Sequence, residues 1–202
     1  MSTERWPFDG LKRSFYRVLL VDPPWHFSCG LGKRSRHPCH HYRTMKLADI
    51  AMLPVRDLAH ADGARLFMWA TIPFLPQACS IIKTRGFRYS TSRVWVKTWP
   101  KNAAPPWDRR SFTHGSGYEV LGNPELLMIA KIGKPKGIGP PRPRALVISP
   151  RREHSRKPDE IRQEIIDRFE GPFCELFARS TWPAFESWGN ETDRFNDMLN
   201  VA

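Results

Sequence analysis

Apolar residues along the chain come in short unbroken runs, each closed by a polar or turn residue. Residues 16–22 (YRVLLVD) form the first, which ends on Asp22. A run without polar alternate positions is a strand buried on both faces, the usual state of a strand in a parallel sheet. Residues 64–70 (ARLFMWA), 93–98 (RVWVKT), 125–132 (ELLMIAKI), 145–149 (ALVIS) and 173–178 (FCELFA) repeat the pattern and predict further strands. Residues 76–85 and 158–170 read as helices. In the second, Ile161, Ile165 and Phe169 fall at four-residue spacing and form one apolar stripe. Pro158 suits the first turn, Asp159 and Glu160 complement the positive end of the helix dipole, and Gly171-Pro172 ends the helix. Strands alternating with helices predict an α/β fold, a doubly wound sheet in a single domain over residues 1–202.

Two stretches interrupt the rhythm. Residues 99–117 (WPKNAAPPWDRRSFTHGSG) and 133–144 (GKPKGIGPPRPR) are rich in Pro, Gly and bases, and read as long surface loops that are mobile without a ligand. Charge then changes the picture. The net charge is +12, and residues 131–157 hold nine bases against Glu153 alone, while the chain beyond them is acidic. Bases set in Pro- and Gly-rich loops suit a surface that follows phosphates, and Arg109 and Arg110 in the first loop join that set. The expected partner is therefore a nucleic acid.

Four widely spaced cysteines do not resemble a secreted disulfide framework. Glu4, Arg5, Asp9, Lys12 and Arg13 leave no room for a signal-peptide core, and the longest mostly apolar run is about half of the roughly 20 residues a membrane helix needs. The expectation is a soluble, cytoplasmic protein with no membrane partner. Cys29, His37, Cys39, His40 and His41 match no zinc-finger or zinc-ribbon spacing, so no metal is expected. A G-x-G-x-x-G following a strand is absent, which counts against a nicotinamide enzyme, and Gly32-Lys33 lacks the rest of a P-loop.

The candidate chemistry sits at Asp22-Pro23-Pro24-Trp25, at the carboxyl end of the first strand, where open α/β sheets bind ligands. Consecutive prolines hold this corner extended and donate no N–H. What remains is a rigid set of acceptors, the Asp22 carboxylate and a proline carbonyl, beside an aromatic plane. That set suits a planar base with an exocyclic amine.

These residues, and much of the chain around them, resemble the N6-adenine methyltransferases that carry DPPW, the MT-A-seventy type, with a bacterial or phage-like member the nearest in kind. The resemblance runs over residues 16–195 through VLLVDPPW, HYRTM, LFMWAT, GFRYSTSRVWVKT, NPELLMIAKIGKP, PRREHSRKPDEI, ELFAR and WGNE. It implies a Rossmann-like methyltransferase sheet of permuted motif order, with S-adenosylmethionine as methyl donor. By carry-over, Asp22, Pro23, Pro24 and Trp25 form the catalytic pocket, and Tyr42 lies on a loop over the target base. Lys157, Phe177, Arg179, Asn190 and Glu191 would hold the cofactor, and Asn123 and Glu125 would lie toward the substrate. Residues 6–11 would lie over the cofactor's adenine. The implied reaction is methyl transfer to adenine N6 in DNA. RNA is the alternative substrate, and a catalytically inactive nucleic-acid-binding subunit is the alternative of another class. The intact DPPW counts against that last reading. A homo- or heterodimer is compatible with the resemblance.

Overall fold

The computed structural model describes residues 6–25, 44–115 and 119–196. Its centre is one seven-stranded sheet formed by β1 (Val18–Val21), β2 (Gly63–Thr71), β3 (Arg88–Thr98), β4 (Glu125–Gly133), β5 (Leu146–Pro150), β6 (Phe173–Leu176) and β7 (Phe185–Trp188), in the order β5-β3-β4-β2-β1-β6-β7. The helices are α1 (Leu47–Met52), α2 (Leu75–Thr84) and α3 (Asp159–Arg168).

The unbroken apolar runs have the cause that their pattern implies. In β1, Leu19 and Val21 pack with Ile81 and Ile82 of α2, while Val18 and Leu20 pack with Ile161 and Ile165 of α3. A helix covers each face, so successive residues pointing to opposite faces are all buried. The chain therefore has the α/β architecture that the sequence predicts, a central sheet with helices on both faces.

The sheet is mixed rather than wholly parallel. β4 pairs antiparallel with both β2 and β3, whereas β1, β2, β3, β5, β6 and β7 share one direction. A continuous apolar run reports burial on both faces and says nothing about direction. The reversal has a functional consequence, because it brings the first residue of β4 to the carboxyl edge of its neighbours. Glu125 stands opposite Thr71 of β2 and Trp95 of β3.

Three elements depart from the sequence pattern. β3 begins at Arg88, but β5 pairs with it only from Val94 onward. Its first half is an edge with exposed polar side chains, which leaves no apolar signal. β7 and α1 are too short to show a period. The loop of residues 99–113 is also pinned at several points, which the mobile reading did not anticipate. Trp99 N–H donates to the Ser111 carbonyl (3.0 Å), Thr113 N–H to that of Lys97 (2.9 Å), and Asp108 caps a short 3-10 turn at Arg109–Ser111. Among the described residues no helix is long and apolar enough to cross a membrane.

Candidate active site

β1 delivers Asp22 to the carboxyl edge, where its N–H donates to the Leu176 carbonyl at the end of β6 (3.3 Å). The prolines hold the corner that follows. Trp25 N–H donates to the Pro23 carbonyl (2.8 Å), and Met45 N–H to the Pro24 carbonyl (3.0 Å). Each proline carbonyl thus has one acceptor position left, not two. Trp25 is only 4% exposed. Its indole N–H donates to the Trp69 carbonyl (3.2 Å) and its ring stacks on Phe74 (centroids 5.5 Å, planes 14° apart). It is a buried post behind the corner, whereas the sequence reading set an open aromatic plane there.

Lys157, one residue before the N-cap of α3, closes the site. Its Nζ lies 2.9 Å from both Asp22 carboxylate oxygens and 3.3 Å from Glu125 Oε2. Lys97 Nζ reaches the other Glu125 oxygen at 2.6 Å. Behind them a buried bidentate pair joins α3 to β6, with Arg162 Nε and Nη2 at 2.9 and 2.6 Å from the Glu175 carboxylate. Three carboxylates and three cations thereby balance in one low-dielectric cluster, which is the condition for keeping buried charges ionised. Burial alone would lower the Lys157 ammonium's pKa, but Asp22 and Glu125 outweigh it and raise it. Burial likewise favours the neutral Glu125, yet Lys157 and Lys97 outweigh it and hold the carboxyl at about 2.

The structure gathers Asp22, Glu125, Lys157, Phe177 and Arg179 at this edge. Asp22, Lys157, Arg162, Glu175, Phe177 and Arg179 line one cleft. Phe177 directly follows β6 with a left-handed backbone (φ 61°), a strained state for a non-glycine residue. Its ring meets Trp188 edge-on (5.4 Å), and Trp188 meets Phe8 of the amino-terminal segment (5.1 Å). Arg179 Nε lies 3.6 Å from Glu191 Oε2, and Arg194 pairs with the other oxygen, Oε1 (2.7 Å). Asn190 is exposed beside them.

Other residues singled out from the sequence stand elsewhere. Asn123 uses both ends of its amide on backbone, accepting from Lys97 N–H (2.9 Å) and donating to the Lys97 carbonyl (2.8 Å) and the Thr113 carbonyl. It therefore fixes the strand that carries Lys97. Arg109 and Arg110 are exposed on the capped turn over the end of β3. Tyr42 lies outside the described residues, as do Cys29, His37, Cys39, His40 and His41. Among the described residues no group of three or more His, Cys, Asp or Glu side chains is arranged to hold a metal ion.

The basic run is divided by the fold, contrary to the single phosphate-tracking surface read from the sequence. Lys131 stands near the end of β4 opposite Arg65, and Lys134 N–H donates to the Asp62 carbonyl beside Gly63, the first residue of β2. Asp22 lies one position beyond the Val21–Met68 pair, so Gly63 is six residues of β2 away, roughly 20 Å toward the opposite edge. Lys136 there pairs with Glu170. Only Arg151, Arg152, Arg156 and Lys157 reach the carboxyl edge, and Arg152 and Arg156 are engaged by Asp159.

Lys97, Arg162, Glu175, Trp69 and Phe74 were not singled out from the sequence. Glu175 did carry a signal, since an acid inside the apolar run FCELFA requires a buried cation.

A family model described as MT-A70 matches residues 16–191 of the chain. The chain is 29% identical over 202 residues to the type II methyltransferase M.MunI of Mycoplasma sp, covering 91% of this chain and 81% of that protein. It is 29% identical over 194 residues to the N(6)-adenine-specific methyltransferase METTL4 of Mus musculus, and 23% identical over 204 residues to METTL4 of Homo sapiens. Those alignments cover 91% and 92% of this chain but only 39% of each METTL4 protein, so the chain spans well under half their length.

Proposed function

The chain belongs to the MT-A70 family, and from that premise we propose that it is a single-domain DNA adenine methyltransferase, moving a methyl group from S-adenosylmethionine to adenine N6. The observation that carries the reading is the pair of carboxylates, Asp22 and Glu125, bridged by Lys157 at the carboxyl edge of β1. The similarity to a type II methyltransferase over 81% of its length favours DNA over RNA.

The side chains present suit the donor. When bound, S-adenosylmethionine supplies an electrophilic methyl group on a sulfonium, and it also carries an α-ammonium, a carboxylate and ribose hydroxyls. Lys157 and Arg179 offer buried positive charge for a carboxylate. Asp22 offers a buried negative charge for the cations, and Glu191, a third exposed, offers acceptors for hydroxyls. Phe177 and Asn190 flank that set, and residues 6–11 reach it through the Phe8–Trp188–Phe177 ring contacts.

Adenine N6 is a weak nucleophile because its lone pair is delocalised into the ring. Asp22 and the remaining acceptor position of a proline carbonyl can take the two N–H bonds in a geometry that frees the lone pair. The Asp22 carboxylate also offsets the positive charge that grows on nitrogen, which is preorganised electrostatic stabilisation. Lys157, bonded to both Asp22 oxygens, holds the carboxylate in place. Glu125, held by Lys97 and Lys157, would accept from the target base, and Tyr42 would cover it. Trp25 acts from behind by fixing the corner's position.

Purified protein incubated with methyl-labelled cofactor and matched DNA and RNA oligonucleotides tests the reading. N6-methyladenine in the digested DNA is the expected product. Incorporation into RNA alone, or into neither polymer, overturns it.

A further inference from the structure

Beyond the end of β3 the surface opens into a cavity of about 440 Å³ lined by Trp99, Pro100, Lys101 and Arg110. Trp99 is extended (φ −67°, ψ 150°) and so continues the alternation of Trp95 and Lys97 along β3. That places it on the side of the strand from which Lys97 reaches Glu125. The Arg151 guanidinium lies over the Trp99 ring at 5.4 Å from its centroid, and His114 meets that ring edge-on at 6.3 Å.

Trp99 is not a core residue. It is half-buried, while Lys101, Arg110 and Arg151 around it are exposed. Among the described residues none of those three cations, nor Arg109 beside them, forms an ion pair. This sets them apart from Arg93, Lys97, Arg152, Arg156, Arg162 and Arg168, each of which has a carboxylate partner. The cavity is also built on anchored backbone. Trp99 N–H is held by Ser111, Asn102 N–H by Trp99 (2.8 Å), and Asp108 caps the turn carrying Arg110.

An aromatic plane with unpaired cations around it matches one ligand unit, a nucleobase with its phosphate. The base stacks on the indole and the cations take the anion. We propose that the Trp99–Lys101–Arg110 cavity is a second nucleotide subsite, which holds a base flanking the target adenine and the phosphate joined to it. The inference rests on the nucleic-acid reading of the active site. It adds a position at which the enzyme grips substrate without touching the reacting atoms, on the same sheet edge and only two residues from Lys97.

The test uses a single-stranded DNA oligonucleotide with one adenine, together with versions in which the base on either side is replaced in turn by an abasic residue. Binding is read by fluorescence anisotropy at several salt concentrations, methylation of the same oligonucleotides by label incorporation, and cofactor binding by calorimetry. Trp99→Ala is expected to weaken oligonucleotide binding about tenfold to a hundredfold with cofactor binding unchanged, and Trp99→Phe to lose much less. One abasic position should weaken the wild type similarly and erase its difference from Trp99→Ala. Lys101→Ala with Arg110→Ala should lower the slope of log affinity against log salt by about 0.7 per lost contact. Methylation by the wild type, with binding indifferent to Trp99 and to both abasic positions, overturns the subsite and leaves the catalytic reading standing. A wild type that methylates no DNA overturns the catalytic reading itself.

Discussion

Lys157→Met removes one cation from a cluster in which three carboxylates are balanced, and its cost depends on pH. Asp22 loses an ammonium at 2.9 Å from both oxygens, and Glu125 keeps only Lys97. In the folded protein Glu125 is held at about 2 against an ordinary 4.5, worth roughly 3 kcal/mol at 1.36 kcal/mol per unit. Lys157 makes the larger Coulombic contribution to that depression, and Lys97 the larger hydrogen-bond contribution. A second buried carboxylate left without its partner brings the expected loss into the range of about 3–5 kcal/mol typical of a broken buried pair. For a chain of this size that lowers the melting temperature by roughly 10 °C. The sign follows from the depressed pKa. A carboxyl whose folded pKa lies below its unfolded one stabilises fully above pH 4.5 and loses that contribution as pH falls toward 2. The gap between wild type and Lys157→Met in urea unfolding should therefore be widest at neutral pH and narrow between pH 4.5 and 3. A gap of the same size at every pH in that range would refute the electrostatic account and leave only lost packing.

Three further outcomes follow. S-adenosylmethionine at about 100 times its dissociation constant should add roughly 2.7 kcal/mol of stability in the presence of chelator, seen as a rise in the thermal midpoint. No rise at millimolar cofactor would contradict the assignment of Lys157, Arg179 and Glu191. Arg162→Met leaves Glu175 buried and unpaired and should cost about 3–5 kcal/mol; urea unfolding that matches the wild type would show the pair to be inessential. Lys131→Ala with Lys134→Ala, roughly 13 and 20 Å from Asp22 along β2, should leave the salt slope of DNA binding unchanged, and a fall of about 0.9 per residue on duplex DNA would place phosphates toward that far edge.

Much of the sheet was legible because burial on both faces writes itself into an unbroken apolar run, as in VLLV of β1 and LFMWA within β2. Strand direction left no such mark, so the reversal of β4 came only with the structure. That reversal is what makes Glu125 a neighbour of Asp22. The corner at Asp22 was legible because prolines after a strand end constrain the backbone in a way one chain segment can announce. The Lys157 bridge was not, since it joins residues 135 positions apart and depends on where β5 and α3 settle. Charge along the chain misled for a related reason. Residues 131–157 run from one edge of the sheet to the other, so bases adjacent in sequence face different ends of the molecule. Trp25 shows the same limit at a single residue, because an aromatic beside a polar corner reads as a wall until its neighbours Phe74 and Trp69 are seen to enclose it.

The central claim is that Asp22 accepts from the target amine while charge develops on it. Methyl transfer to adenine in a DNA oligonucleotide, measured as single-turnover rate for wild type, Asp22→Ala and Asp22→Asn with thermal unfolding as the fold control, tests it most directly. Loss of one preorganised group of this kind typically lowers the rate about a hundred- to a thousandfold, or roughly 3–4 kcal/mol. Asp22→Ala should therefore methylate about a hundred- to a thousandfold more slowly in a folded protein, with Asp22→Asn between the two because its amide oxygen still accepts one bond. A folded Asp22→Ala protein that turns over near the wild-type rate would contradict the account.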